Sequence, residues 1–306
     1  MIVLVNCIVA VAENPADSGP AGAATRGTTP MIMAKGSGSA VAQVGDCAGE
    51  IESNAAVPLW DAPAETTPCG AIETDNLLIR QMMGSGIHQD LMITTARYGL
   101  TSHIEIRWEL PGRMMQSGSG TPRLVGSTDQ LAGVCWRFHD NSGWAPDLAL
   151  DYAVKIPTAN PGKRFGSGYA DNQLTFIASR DLGNNHIDFN TAGTIAGGPQ
   201  GPDGAAQFGM AFSRTITSRF LLAIETFGGS QPGTPDRYGA GLFGGAWSIH
   251  PWLTLNAAYS QAYTSGSPRD QLLIGFIYTM RPGFGRHGTL LPSRFGFVSA
   301  RSDTAE

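Results

Sequence analysis

From residue 71 to residue 281 the chain alternates apolar and polar positions in short runs. The clearest stretch is 147–190. There Leu148, Leu150, Tyr152, Val154 and Ile156 share one face, and Asp147, Ala149, Asp151, Ala153 and Lys155 share the other. A period of two marks a β-strand lying between two unlike environments. The same pattern sets Ile104, Ile106, Trp108 and Leu110 against His103, Glu105, Arg107 and Glu109. It sets Ile187 and Phe189 against His186, Asp188 and Asn190, and Leu253, Leu255, Ala257 and Tyr259 against Thr254, Asn256, Ala258 and Ser260. Leu272, Ile274, Phe276, Tyr278 and Met280 fall on one face. The phase is ambiguous in 91–98 and in the Gly-rich 238–246. Twelve strands are predicted, at about 72–82, 88–98, 103–110, 128–138, 147–156, 170–180, 186–194, 205–214, 219–228, 237–248, 252–262 and 270–281. Most are near the roughly 9–11 residues that a tilted strand needs to cross a bilayer.

The connections alternate in kind. Tight turns occur at Gly99-Leu100-Thr101-Ser102, at Asp181 to Asn185, at Thr215 to Ser218 and at Ser248 to Pro251, and 139–143 fills the remaining short position. Longer Gly- or Pro-rich loops lie between them at 111–126, 157–168, 197–204, 229–235 and 264–268. Short turns at one end and long loops at the other predict an all-β fold: a closed antiparallel transmembrane β-barrel of about twelve strands, with the short end periplasmic. A soluble sandwich has no reason to segregate its loops in this way. A basic side chain facing lipid at midplane costs about 2–4 kcal/mol, so the charges must point inward. Glu105, Arg107, Glu109, Arg137, Asp147, Asp151, Lys155, Asp188 and Glu225 are therefore the expected lumen residues. Isolated charges in a narrow lumen are costly, and ion pairs across strands are expected. They either brace the interior or form a selective constriction. Trp136, Trp144, Trp247 and Trp252 beside short turns, and Trp108, Tyr238 and Tyr263 near long loops, fit two aromatic girdles.

Composition agrees with this fold. Among 306 residues 42% are hydrophobic, 15% are charged and 40 are Gly. No apolar run reaches the roughly 18 residues of a membrane-spanning helix. The net charge of −5 and the absence of a basic run argue against a nucleic-acid partner. The expected partners are the lipid bilayer of a bacterial outer membrane and small solutes, and the pattern leaves the oligomeric state open. Residues 1–12 end in an Ala-Val-Ala step and read either as a truncated export signal or as a frayed terminus. Residues 13–70 are rich in Ala, Gly, Pro, Ser and Thr and read as a low-complexity, mostly disordered leader that either enters the lumen or stays outside it. Residues 71–281 form the barrel and 282–306 a loose tail.

Candidate chemistry is sparse. Cys7, Cys47, Cys69 and Cys135 have no CxxC or His-rich neighbourhood, so no zinc site is expected. Cys47 and Cys69 either pair in an oxidising periplasm or stay as two thiols, and Cys135 reads as a small packing residue. His103 and His186 each start a strand after a short turn, on strands that are not adjacent in order, so no metal site is expected from them. The barrel region contains no nucleophile-elbow, HExxH or Walker motif, and no catalytic residue or cofactor is expected. Lys163 and Arg164 read as solvated charges on a loop tip.

The blocks 97–106 (Arg-Tyr-Gly-Leu-Thr-Ser-His-Ile-Glu-Ile), 154–158 (Val-Lys-Ile-Pro-Thr), 166–168 (Gly-Ser-Gly) and 179–183 (Ser-Arg-Asp-Leu-Gly) resemble the outer-membrane proteins of the phenol-degradation meta-pathway family. The likeness spans roughly 72–281. It implies a small pore-like barrel associated with uptake of aromatic or other hydrophobic compounds, and it carries no catalytic residues. The functional expectation is a passive outer-membrane channel. Two alternatives remain. A lipase- or protease-type barrel enzyme would need a Ser–His pair on its rim or lipid face. A structural or interaction barrel would have a blocked lumen.

Overall fold

The computed structural model describes residues 33–35, 47, 55–83, 86–118, 121–163, 165–233, 236–284 and 290–291. The expected export signal at 1–12 and most of the leader and tail lie outside the described residues. Twelve strands form the wall. They are β1 (Ile72–Met82), β2 (Ile87–Gly99), β3 (Ile104–Glu109), β4 (Gln130–His139), β5 (Asp147–Ile156) and β6 (Asp171–Leu182). They continue as β7 (Asn185–Ala196), β8 (Asp203–Thr217), β9 (Phe220–Ser230), β10 (Arg237–His250), β11 (Leu253–Ala262) and β12 (Asp270–Met280). Each strand pairs antiparallel with the next, and β12 pairs with β1 from Asp270↔Met82 to Met280↔Ile72. The twelve strands thus form a closed barrel.

One predicted loop proves to be ordered sheet. Residues 111–126 were expected as an irregular outer loop. Instead, Arg113–Gly118 and Thr121–Ser127 form a hairpin. Its first strand pairs with β2 over Ile87–Met92, above the point where the shorter β3 leaves off. The wall therefore continues upward beside β2. Met114 and Gln116 alternate inward there, which keeps the period of two.

The inside–outside alternation follows the pattern of the chain. In β5, Asp147, Ala149, Asp151, Ala153 and Lys155 are buried while Tyr152 and its neighbours face out. Trp136, Trp144, Trp247 and Trp252 are exposed near the short turns, as are Trp108 and Tyr263 near the long loops. Tyr238 departs from the expected girdle. It is buried, and its hydroxyl donates to Gln207 Oε1 at 2.7 Å.

The interior is less polar than expected. Leu77, Ile79, Leu91, Ile93, Leu242 and Leu273 point inward. This explains the ambiguous phase of 91–98 and 238–246, where both faces carry apolar side chains. The inward apolar residues meet protein rather than water. A short strand, Ala55–Leu59, packs inside against β9–β12 and pairs with Met33–Lys35. Leu59 and Trp60 join one apolar cluster with Leu77, Ile79, Ile93, Leu242 and Leu273.

Candidate functional site: an occupied lumen

The leader was expected to be mostly disordered over 13–70, and its last part is not. Residues 59–69 cross the lumen, and Leu59, Trp60, Asp61, Ala62, Ala64 and Thr67 are buried. Beyond Leu59 the segment has no regular strand partner along this path. Its backbone N–H groups are met instead by side chains of the wall, as a buried donor requires. Glu225 on β9 accepts from Trp60 N at 2.7 Å and from Asp61 N at 2.6 Å. Asn190 on β7 accepts from Ala62 N at 3.1 Å and donates back to Ala62 O at 2.8 Å. Ser179 on β6 accepts from Ala64 N at 2.7 Å. Glu105 on β3 accepts from Thr67 N at 2.7 Å and from its hydroxyl at 2.8 Å. Trp60 meets Phe227 edge-on with ring centroids 5.4 Å apart. Asp61 lies against Gly209 of β8, so close that any β-carbon there would collide with its carboxylate.

The segment leaves at the short-turn end. Gly70 N donates to Gly99 O at 2.7 Å, and Gly99 itself has no room for a side chain beside the carbonyls of Thr67 and Pro68. Cys69 is joined to Cys47 by a disulfide, with Cα atoms 4.9 Å apart. Of the two alternatives for this pair, the structure shows the bonded one. Cys135 is a buried free thiol inside the barrel.

Eight of the nine expected lumen residues are buried on the inner face: Glu105, Arg107, Glu109, Asp147, Asp151, Lys155, Asp188 and Glu225. Arg107 bridges Asp151 on β5, reaching diagonally across β4 where Gly133 leaves room, and lies 3.9 Å from Glu105. Lys155 meets Asp171 at 2.5 Å and Asp129 at 3.9 Å. Asp188 accepts from Ser179 Oγ at 2.6 Å and lies 2.6 Å from His186 Nε2. Asp147 caps the short turn, accepting from Asn141 N at 2.9 Å. Glu109 is fully buried, and among the described residues its carboxylate oxygens have no hydrogen-bond partner. Arg137 sits half-buried at the mouth, 3.0 Å from Asp140. The pattern missed a third interior group: Arg97 on β2 pairs with Asp75 and, at 3.4 Å, with Glu73 on β1. Glu73 and Asp75 share the face of Leu77 and Ile79, and that shared period of two is the signal in the sequence.

The short-turn rim holds a Ser–His pair. Ser102 Oγ is 2.9 Å from His103 Nδ1, and His103 Nε2 is 2.8 Å from Asp140. The same residues tie the turn together: Arg137 Nη2 and Thr66 Oγ1 both donate to Ser102 O, at 2.8 and 3.0 Å. Partial burial raises the Asp140 carboxyl, but the His103 hydrogen bond and the Arg137 charge outweigh it and hold its pKa below the ordinary value. At the opposite rim, burial pushes Asp129 up, and the hydrogen bond from Ala159 N with the nearby Lys155 charge offsets only part of that. On the outer wall, an apolar hollow of about 590 Å³ lies among Met210, Phe212, Ile224, Phe243 and Tyr263. It opens away from the lumen.

No protein-family model matches the chain, and no curated protein matches it. Solved structures with a similar course include the KdgM porin (TM-score 0.47, 7% identity, covering 67% of this chain and 98% of that one). The translocator domain of the autotransporter NalP from Neisseria meningitidis gives a TM-score of 0.45 at 12% identity, covering 68% of this chain and 87% of that one. The CymD monoaromatic hydrocarbon channel gives 0.38 at 6%, covering 69% and 88%. These are outer-membrane barrels, and likeness at this level carries no argument about what this barrel does.

Proposed function

We propose that the protein is a bacterial outer-membrane channel for small solutes, gated by its own residues 59–69. The observation that carries this reading is how those residues are held. Their backbone bonds to single side chains on four different strands and not to a sheet edge. A segment built into the sheet could leave only by breaking the barrel. This one can leave by releasing a few side-chain hydrogen bonds, worth about 1.5–3 kcal/mol each to the carboxyl groups of Glu225 and Glu105 and about 0.5–1.5 kcal/mol each to the neutral Asn190 and Ser179. The wall closes without it, through β12 and β1. In this reading the short turns face the periplasm. Glu105, Arg107, Glu109, Arg137, Asp147, Asp151, Lys155, Asp188 and Glu225 line the route once the segment withdraws. Mixed charges on the wall suit small polar solutes, and the apolar inner patch around Ile79, Ile93 and Leu242 suits aromatic or hydrophobic ones. The second class also follows from the family resemblance of the sequence.

The test is conductance of the folded full-length protein in planar bilayers, with liposome swelling for uncharged solutes. Wild type should stay mostly closed. A Glu225→Ala/Asn190→Ala double variant should conduct for a markedly larger fraction of the time, because it removes the bonds to Trp60, Asp61 and Ala62. If that variant inserts, folds and leaves vesicles tight to small solutes, the channel reading fails and a permanently blocked, structural barrel remains.

A further inference from the structure

The turn between β6 and β7 gathers a cluster that the channel reading does not use. Glu65 of the inner segment, Asp181 of β6 and His186 of β7 each offer a ligand atom, and these atoms lie within 4.8 Å of one another. Asp181 and His186 are directly opposed in the β6–β7 register, so the hairpin fixes their spacing. Glu65 is held between two anchored neighbours, Ala64 on Ser179 and Thr67 on Glu105.

The imidazole contacts are informative. His186 Nε2 is 2.6 Å from Asp188 Oδ1, and Nδ1 is 3.0 Å from Asp181 Oδ1. An ionised carboxylate only accepts, so Asp188 places a proton on Nε2. Nδ1 then points its lone pair at a second carboxylate oxygen. Two acceptors at that distance need a positive charge between them, either a proton on Nδ1 or a metal ion. A carboxylate holding the far nitrogen of an imidazole is the usual way in which a metal-binding histidine is oriented. Neighbouring ligand atoms around a tetrahedral zinc ion stand about 3.3 Å apart, given bonds of about 2.0 Å, which is close to the His186–Asp181 separation. One nitrogen and two carboxylates suit a first-row transition ion such as zinc better than magnesium or calcium, which favour oxygen ligands alone.

We propose that Glu65, Asp181 and His186 form a divalent-metal site of the zinc type, oriented by Asp188, which latches the inner segment to the wall at the short-turn end. Two ligands belong to the wall and one to the segment, so a bound ion opposes withdrawal. The latching role rests on the gated-channel reading, whereas the metal site itself does not.

The two are tested separately. Full-length protein in detergent, cleared of metal with a chelator and dialysed, is titrated with Zn²⁺ by calorimetry, with Co²⁺ absorption as a second readout. Wild type should bind one equivalent, and His186→Ala and Glu65→Ala should each bind at least tenfold more weakly. Glu65 lies outside the barrel sheet, so its variant keeps the wall, and heat-dependent gel mobility checks that both variants fold. Absence of stoichiometric binding, or equal binding by both folded variants, would overturn the site and leave an imidazolium between two carboxylates. Zn²⁺ should also reduce conductance of the Glu225→Ala/Asn190→Ala protein, and the effect should vanish when Glu65→Ala is added. Zinc bound at one equivalent with conductance unchanged would overturn the latch while the metal site stands. A Glu225→Ala/Asn190→Ala protein that never conducts would instead count against the channel reading.

Discussion

At the scale of single residues, the interior depends on a few buried charged side chains paired across strands. Arg107 is fully buried and bridges Asp151 on β5. Replacing it with Met preserves much of its volume and leaves buried carboxylates at 105 and 151 without that cation. Breaking one side of a buried pair typically costs about 3–5 kcal/mol. Arg107→Met is expected to lower barrel stability by about that amount, read by urea unfolding in micelles. An Arg107→Met variant as stable as wild type would show that the pair is not a brace. Gly209 acts in the opposite sense. It faces inward beneath Asp61, where any side chain would collide with the inner segment. Gly209→Leu should leave the wall folded and raise the conducting fraction, because the segment is the softer of the two partners. A closed, normally folded Gly209→Leu protein would place the segment elsewhere. Both residues show what the sequence could supply. The charge of Arg107 on a polar face was readable from its period. The role of Gly209 was not, since nothing near it in sequence hints at Asp61.

At the scale of elements, each strand sorts its side chains between the outer and the inner face of the wall. Ile274 lies at the middle of β12, 52% exposed on the outer face, while Leu273 beside it is fully buried. Ile274→Arg is expected to cost about 2–4 kcal/mol of folding free energy in bilayers, as a basic residue does near the midplane. Urea titration of folding into vesicles measures this, and a loss under about 1 kcal/mol would deny that this face meets lipid. The turns are legible for local reasons. The β6–β7 turn puts Gly183 at φ 63°, a conformation glycine adopts without strain, and the Gly-Asn step predicted it. In the hairpin at 113–127, Gly and Ser interrupt two short alternating runs, so the local pattern resembles a loop. What makes it sheet is pairing with the upper half of β2, a contact that no local pattern encodes.

At the scale of the whole molecule, a closed wall surrounds a segment tied at its exit by the Cys47–Cys69 disulfide. That bond spans 22 residues of sequence. Closing a loop of this size restricts the released state by about 3 kcal/mol in the chain-entropy account. On the gated-channel reading, reduction with dithiothreitol, or Cys47→Ser/Cys69→Ser, should therefore raise the conducting fraction of the protein without unfolding the barrel. Unchanged conductance in a folded, reduced protein would mean that the wall contacts alone hold the segment.

The sequence by itself determined the number of strands, the faces of all but two of them, the two kinds of connection and the polar face that carries the charges. Each of these is set by a period or by turn chemistry within a dozen residues. Strand ends fell close to their predicted places for the same reason. Only the tertiary structure decided that β12 meets β1, that part of the wall is a hairpin, that the two cysteines pair and that residues 59–69 cross the lumen. Residues 60–69 show no period because they lie along no regular strand partner. Their backbone is satisfied by Glu105, Ser179, Asn190 and Glu225, which lie up to 165 residues away. Contacts of that kind leave no trace in local sequence, since each wall residue alone looks like one more polar position on an inward face.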